Sequence, residues 1–185
     1  MSNKPIDFRL YLITDRKLFT VHCSLFTAIK EALKGGARAI QLREKDLGTR
    51  ELLKLAYKMR ELTKRYNAKL FINDRLDIAL AVGADGVHLA QNSIPVDAVR
   101  NAVNKKLLIG VSAHSLKEAL EAEKKGADFI TLGPVYRTQS KLKYGAPLGI
   151  ETLGAYGVAL ISEVFRAKDV KGKTKELINV LQKRR

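Results

Sequence analysis

Four copies of one heptapeptide pattern, Gly-Ala-x-x-φ-x-Leu with φ an Ile or Val, punctuate the chain at Gly36 to Leu42, Gly83 to Leu89, Gly126 to Leu132 and Gly154 to Leu160. A glycine that closes a helix by entering the left-handed region, followed by apolar residues at every second position, marks a helix-to-strand junction. Each copy therefore predicts the end of one helix and the start of one strand.

The segments between the copies agree. Ser24 is placed to N-cap a helix whose Leu25, Ile29, Ala32 and Leu33 share a face and which ends at Gly35-Gly36. Ser115-Leu-Lys-Glu118 reads as a capping box opening a helix to Lys125. A further helix is expected over Glu51 to Tyr66, and strands over Arg9 to Thr14, Lys69 to Asn73 and Leu107 to Ser112. Seven strands result, centred near Leu10, Ile40, Phe71, Val87, Ile109, Ile130 and Val158. Their alternation with helices implies an α/β fold with a parallel sheet and crossover helices. Without a Gly-x-Gly-x-x-Gly turn, a closed TIM (β/α)8 barrel is favoured over an open doubly wound sheet.

One interval is irregular. The copies start at positions 36, 83, 126 and 154, so the last spacing is 28 residues against 47 and 43. Between Gly133 and Gly154 stand Pro134, Gly145, Pro147 and Gly149, with no run long enough for a strand and a crossover helix. The expectation is a single TIM-barrel domain over residues 1–185 whose seventh βα unit is missing between Leu153 and Gly154. Omission of residues is favoured over true loss of a stave, which would leave two unpaired edges.

Composition narrows the class. With 46% hydrophobic and 29% charged residues among 185, the chain is globular rather than low-complexity. A lone cysteine, Cys23, allows no intramolecular disulfide and no four-cysteine zinc site, and three histidines make no His-rich cage. Met1 to Leu10 carries Lys4, Asp7 and Arg9 and lacks an apolar signal core, so a cytoplasmic location with no membrane partner is expected. The net charge of +15 invites a nucleic-acid partner. However, the last twenty residues hold eight basic and two acidic residues, and no finger or RNA-binding aromatic motif accompanies them. The excess is read as a solvated Lys-rich surface, with no nucleic-acid partner.

Active sites of such barrels lie at the C-terminal ends of the strands. Those positions hold Asp15, then Gln41, Arg43, Glu44 and Lys45, then Asn73, Asp74 and Arg75, then Gln91, Asn92 and Ser93. Ser112, His114 and Ser115 follow, then Thr138, Ser140 and Lys141, and finally Ile161 and Ser162. Cations, amides and hydroxyls on one rim suit a phosphorylated small substrate, and Asp74 can hold a divalent cation bridging pyrophosphate oxygens. Plainer readings stand beside these. Arg43 to Lys45 also reads as a solvated charge run, Asn73 and Asp74 as turn and cap residues with Asp77 in the third helical position, Ser93 as a cap, and His114 as a structural histidine.

The ordered motifs Tyr11-Leu-Ile-Thr-Asp15, Gln41-Leu-Arg-Glu-Lys45, Ile72-Asn-Asp-Arg75, Ala84-Asp-Gly-Val-His88, Gly110-Val-Ser-Ala-His-Ser115, Gly133-Pro-Val-Tyr136 with Thr138 to Lys141, and Pro147-Leu-Gly149 resemble the thiamin phosphate synthase and thiazole tautomerase superfamily. The resemblance implies a TIM barrel and a transferase of thiamine biosynthesis that joins hydroxymethylpyrimidine pyrophosphate to thiazole phosphate, giving thiamin phosphate and pyrophosphate. It implies that Gln41, Arg43, Lys45, Asn73 and Lys141 hold the pyrimidine and its pyrophosphate. Ser112, Thr138 and Ser140 would supply hydroxyl donors, Ile161 and Ser162 would meet the thiazole phosphate, and Asp74 would bind Mg2+. It further implies that catalysis falls to Arg43, Lys45, Ser112, His114 and Lys141.

Two departures accompany it. Gln91-Asn92-Ser93 puts a serine where the synthase pattern has a second acidic ligand, which implies a weakened metal site at Asp74 and Ser93. The family's seventh strand and Gly-Gly phosphate loop are skipped after Leu153. The tautomerase branch, which uses a histidine at the position of His114 as acid/base and needs no metal, remains an alternative, as does a non-catalytic anion-binding regulatory barrel. A homo-oligomer is compatible with either.

Overall fold

The computed structural model describes residues 6–19, 24–103, 107–133 and 156–183. Strands and helices alternate: β1 (Leu10–Ile13), α1 (Leu25–Lys34), β2 (Ala39–Leu42), α2 (Thr49–Arg65), β3 (Lys69–Asn73), α3 (Leu76–Ala81) and β4 (Gly86–Leu89). Then come α4 (Val96–Ala102), β5 (Leu108–Ala113), α5 (Leu116–Lys124), β6 (Phe129–Leu132), β7 (Val158–Leu160), α6 (Ser162–Phe165) and α7 (Val170–Lys183). Every pairing is parallel, in the order β6-β5-β4-β3-β2-β1-β7, so the last strand lies beside the first. The sheet curls into a nearly closed barrel of seven described strands. Among the described residues β6 and β7 are each paired on one side only, and Val158 is 37% exposed where the interior strands are buried.

The heptapeptide is the unit of construction. Its glycine has positive φ in the three described copies, Gly36, Gly83 and Gly126. Its alanine N–H bonds back to the helix five residues earlier: Ala37 to Ala32 O, Ala84 to Ala79 O and Ala127 to Ala122 O, at 2.9 to 3.1 Å. This double turn satisfies helix-end carbonyls and aims the chain into the next strand. In two copies an aspartate comes third. Asp85 accepts the Leu70 N–H of the neighbouring strand at 2.8 Å and pairs with Arg60 of α2. Asp128 accepts the Ile109 N–H at 2.7 Å and pairs with Arg100 of α4 at 2.5 Å.

The rest of the heptapeptide sorts residues across the sheet, since alternate side chains face opposite sides. Ile40, Leu42, Val87 and Leu89 join the core between sheet and helices. Ala39 and Phe129, one step away, face the barrel interior with Phe8, Tyr11, Phe71 and Leu108. Phe8, Tyr11, Phe71 and Phe129 stack or meet edge-on, with ring centroids 5.3 to 5.6 Å apart, and plug the lower barrel. Gly86 and Gly110 make room for them: a Cβ on Gly86 would collide with Phe71, and one on Gly110 with Phe129.

Local expectations hold with adjustments. Ser24 caps α1 by accepting the Thr27 N–H at 3.2 Å. Ser115 caps α5, but Glu118 reaches past it to the His114 N–H at 2.8 Å. The helix expected from Glu51 begins at Thr49, because Gly48 ends the loop. Neither Asp74 nor Ser93 is a cap: Arg75 and Pro95 occupy those positions of α3 and α4. No described helix is long and apolar enough to cross a membrane.

Candidate functional site

Above the aromatic plug the interior turns polar. Gln41, His88 and Thr131 stand at the sixth position of three heptapeptides, and Asn73 and Ser112 follow the inward-facing Phe71 and Gly110 by two residues. Gln41 donates to Asn73 Oδ1 at 2.9 Å. His88 Nε2 lies 2.9 Å from Ser112 Oγ and 3.3 Å from Thr131 Oγ1, while its Nδ1 lies 3.3 Å from the Tyr11 hydroxyl. Gln41 and His88 are buried, at 1% and 2% exposure. Buried groups of this kind are mostly hydrogen-bonded, and the exception here, Gln41 Oε1, is a buried acceptor with no partner among the described residues. They form a floor at the C-terminal mouth, where barrel chemistry takes place.

Cations surround this floor, and the structure separates committed ones from free ones. Arg16 and Lys17 pair with Asp46 at 2.8 and 3.2 Å. Arg75 forks onto Asp77, holding that carboxyl below its ordinary value, and also donates to Thr49. Arg43 is half-buried, Lys45 is exposed, and among the described residues neither forms an ion pair with a carboxylate. They are the uncommitted positive charge next to Gln41.

Glu44 departs from the charge-run reading. It is 5% exposed and accepts from Thr14 Oγ1 at 2.7 Å and from the Arg16 N–H at 3.1 Å. Burial pushes its carboxyl above the ordinary range, against those hydrogen bonds. Its role is architectural: Thr14 in turn accepts the Arg43 N–H at 2.9 Å, so the knot sets the backbone from which Arg43 departs.

Asp74 sits beyond Asn73 with φ of 66°, its carboxylate exposed and accepting no hydrogen bond among the described residues. Ser93 instead turns back to accept the Ala90 N–H at 2.7 Å. No group of three or more metal-ligating side chains occurs among the described residues. His114 is mostly covered, with Nδ1 3.7 Å from Glu118. Ile161 and Ser162 open α6 directly after β7, where first-turn N–H groups have no intrahelical partner. Thr138, Ser140 and Lys141 lie outside the described residues.

The structure thus gathers Gln41, Asn73 and Ser112 on one floor and adds His88, Thr131 and Tyr11, which the residue-by-residue reading passed over. A signal for two of them was present. The sixth position of the heptapeptide, between two outward apolar residues, must face inward, and it is polar in His88 and Thr131 as it is in Gln41. A cleft of about 390 Å³ lies at the opposite, N-terminal end, lined by Asp7, Arg60, Lys69 and Asp85 among others. Arg60 and Lys69 there already pair with Asp85 and Asp7.

Known proteins resemble this chain throughout its length. Residues 10–165 match the family model described as thiamine monophosphate synthase. The thiamine-phosphate synthase of Clostridium novyi is 37% identical over 203 residues, covering 95% of this chain and 99% of the relative. That of Clostridium acetobutylicum is 35% identical over 207 residues, covering 97% and 98%. The solved thiamine phosphate pyrophosphorylase of Pyrococcus furiosus superposes with a TM-score of 0.83 at 36% identity, over 95% of this chain and 96% of that one. Both alignments to the Clostridium proteins are longer than the 185-residue chain, so those relatives contain residues with no counterpart here.

Proposed function

Since the chain belongs to the thiamine monophosphate synthase family, we propose that its polar barrel floor is the site where hydroxymethylpyrimidine pyrophosphate and thiazole phosphate are joined to give thiamin phosphate and pyrophosphate. The protein is a transferase of thiamine biosynthesis acting on small phosphorylated substrates. The observation that carries the site is the hydrogen-bonded pair Gln41–Asn73, set over an apolar plug and flanked by the uncommitted Arg43 and Lys45.

The pyrimidine, a flat ring with polar edges, suits the amides of Gln41 and Asn73, and its pyrophosphate suits Arg43 and Lys45, joined by Lys141. The bond from the pyrimidine methylene to pyrophosphate oxygen breaks with its electron pair leaving on pyrophosphate. The thiazole nitrogen then supplies the pair that forms the new C–N bond. No protein nucleophile is required, so the side chains work by holding departing negative charge and aligning the ring nitrogen. Ser112, Thr138 and Ser140 donate hydroxyl protons to the anion, and Ile161 and Ser162 meet the thiazole phosphate.

Magnesium belongs to the same proposal. One exposed carboxylate fits a cation that arrives with its pyrophosphate, since Mg2+ is usually held by one or two carboxylates plus substrate phosphates. Asp74 would hold it and Ser93 would add at most a weak or water-mediated contact, the cation's contribution being to neutralise charge on the leaving group. On this reading the residues that the Clostridium proteins have beyond this chain fall between Leu153 and Gly154 and carry the seventh βα unit with a second phosphate loop. A cytoplasmic location goes with the reading.

The test is an assay with both substrates and Mg2+, following thiamin phosphate and pyrophosphate together, beside a parallel assay with the thiazole carboxylate tautomer. Equimolar formation of the two products supports the synthase. Tautomer conversion alone would move the function to the isomerase branch with His114 as acid/base, and ligand binding without turnover would move it to a regulatory barrel.

A further inference from the structure

Both ring nitrogens of His88 face hydroxyls, one of them that of Ser112. On one side the Tyr11 hydroxyl lies 3.3 Å from Nδ1, and on the other Ser112 Oγ lies 2.9 Å from Nε2. Burial of Tyr11 pushes its hydroxyl well above the ordinary 10, so it stays a phenol with a proton to donate. Thr131 Oγ1 donates to the Val111 carbonyl at 3.4 Å, which leaves its lone pairs toward Nε2 at 3.3 Å and Ser112 at 3.4 Å. A singly protonated imidazole has one donor and one acceptor nitrogen. Both ends of the chain then agree: Tyr11 O–H donates to Nδ1, and Nε2–H donates to Ser112 Oγ.

We propose that His88 is a positioning residue that fills the acceptor side of Ser112 with its Nε2–H and so commits the Ser112 hydroxyl proton to the substrate anion. Without substrate that proton rests toward Thr131; with substrate it swings up from the floor. The ring lies close against the backbone at Gly110, where a Cβ would come within 2.7 Å of Nδ1 and only glycine leaves it room. This inference rests on the synthase reading for the anion that Ser112 meets, while the hydrogen-bond polarity stands apart from it.

Two measurements test it. The first is the 15N spectrum of the full chain at neutral pH, with His88 assigned against His88→Gln; a proton on Nε2 and none on Nδ1 is expected, and a proton on Nδ1 overturns the proposal. The second is a kinetic cycle on His88→Leu, His88→Gln, Ser112→Ala and the Leu/Ala double variant. His88→Leu should lower kcat by about tenfold to a hundredfold with KM nearly unchanged, less than the roughly hundredfold to thousandfold cost of removing an oriented donor outright. His88→Gln, which keeps a donor near Nε2, should recover most of that. In the Ser112→Ala background His88→Leu should cost nothing more; equal losses in both backgrounds, with melting temperatures held, overturn the proposal. An inactive parent protein would fail the synthase reading instead, and the spectrum would still decide the polarity.

Discussion

Thr14 Oγ1 donates to Glu44 Oε1 at 2.7 Å while accepting the Arg43 N–H at 2.9 Å, so two buried polar side chains fasten the end of β1 to the loop from which Arg43 departs. The carboxylate in this knot is held against the cost of its own burial.

That cost has a sign that can be measured. Because the Glu44 carboxyl is raised in the folded state, the fold binds its proton more readily than the unfolded chain does. Stability then falls as pH rises from the ordinary 4.5 through the raised value. Glu44→Gln removes the titration. The melting temperature of the parent relative to Glu44→Gln should be highest near pH 4 and decline toward pH 7; a difference that is flat with pH would contradict the burial argument.

The Arg100–Asp128 pair supports the β5–β6 junction. Asp128 is tied to Ile109 N–H, and Arg100 also donates to the Gly126 and Leu107 carbonyls at 2.7 and 2.9 Å. Asp128→Ala leaves a largely covered guanidinium without its anion. It should destabilise by about 3–5 kcal/mol in urea unfolding, the usual cost of breaking a buried pair. A loss under about 1 kcal/mol would show the pair to be solvated like a surface one.

Helix α7 lies on the C-terminal end of α1. At Gly35 a Cβ would stand 2.7 Å from both Lys171 O and Thr174 Cβ, so only a hydrogen fits. Gly35→Ala should cost about 1–3 kcal/mol as overpacking does, and limited proteolysis should cut α7 first. Unchanged protection of α7 would place its anchorage elsewhere.

The metal proposal predicts a gain. Ser93→Asp adds a carboxylate after β4, the strand paired with the one that ends before Asp74, and the magnesium concentration for half-maximal synthase rate should drop several-fold, by about 1 kcal/mol of added cation affinity. Asp74→Asn should raise it. An unaltered magnesium response in both variants would remove these positions from the metal's path.

Much of the barrel was legible in the chain because its instructions are local. A glycine with positive φ, an alanine N–H returning to the preceding turn and a period-two strand act within seven residues, and three described copies fold as that pattern requires. Strands β6 and β7, which flank the short final interval, do not pair with each other among the described residues. Gln41, Asn73 and Ser112 could be placed on a rim for the same reason. What the chain alone did not decide was which charges are free and which hydroxyl proton points where. Glu44 and Arg75 look functional by position, yet they are occupied by Thr14 and Asp77. His88 is joined to Tyr11 across 77 residues and to Ser112 across 24. Hydrogen-bond partners brought together by barrel closure have no sequence period, so only the tertiary structure could separate the groups that hold the barrel from those left to hold a substrate.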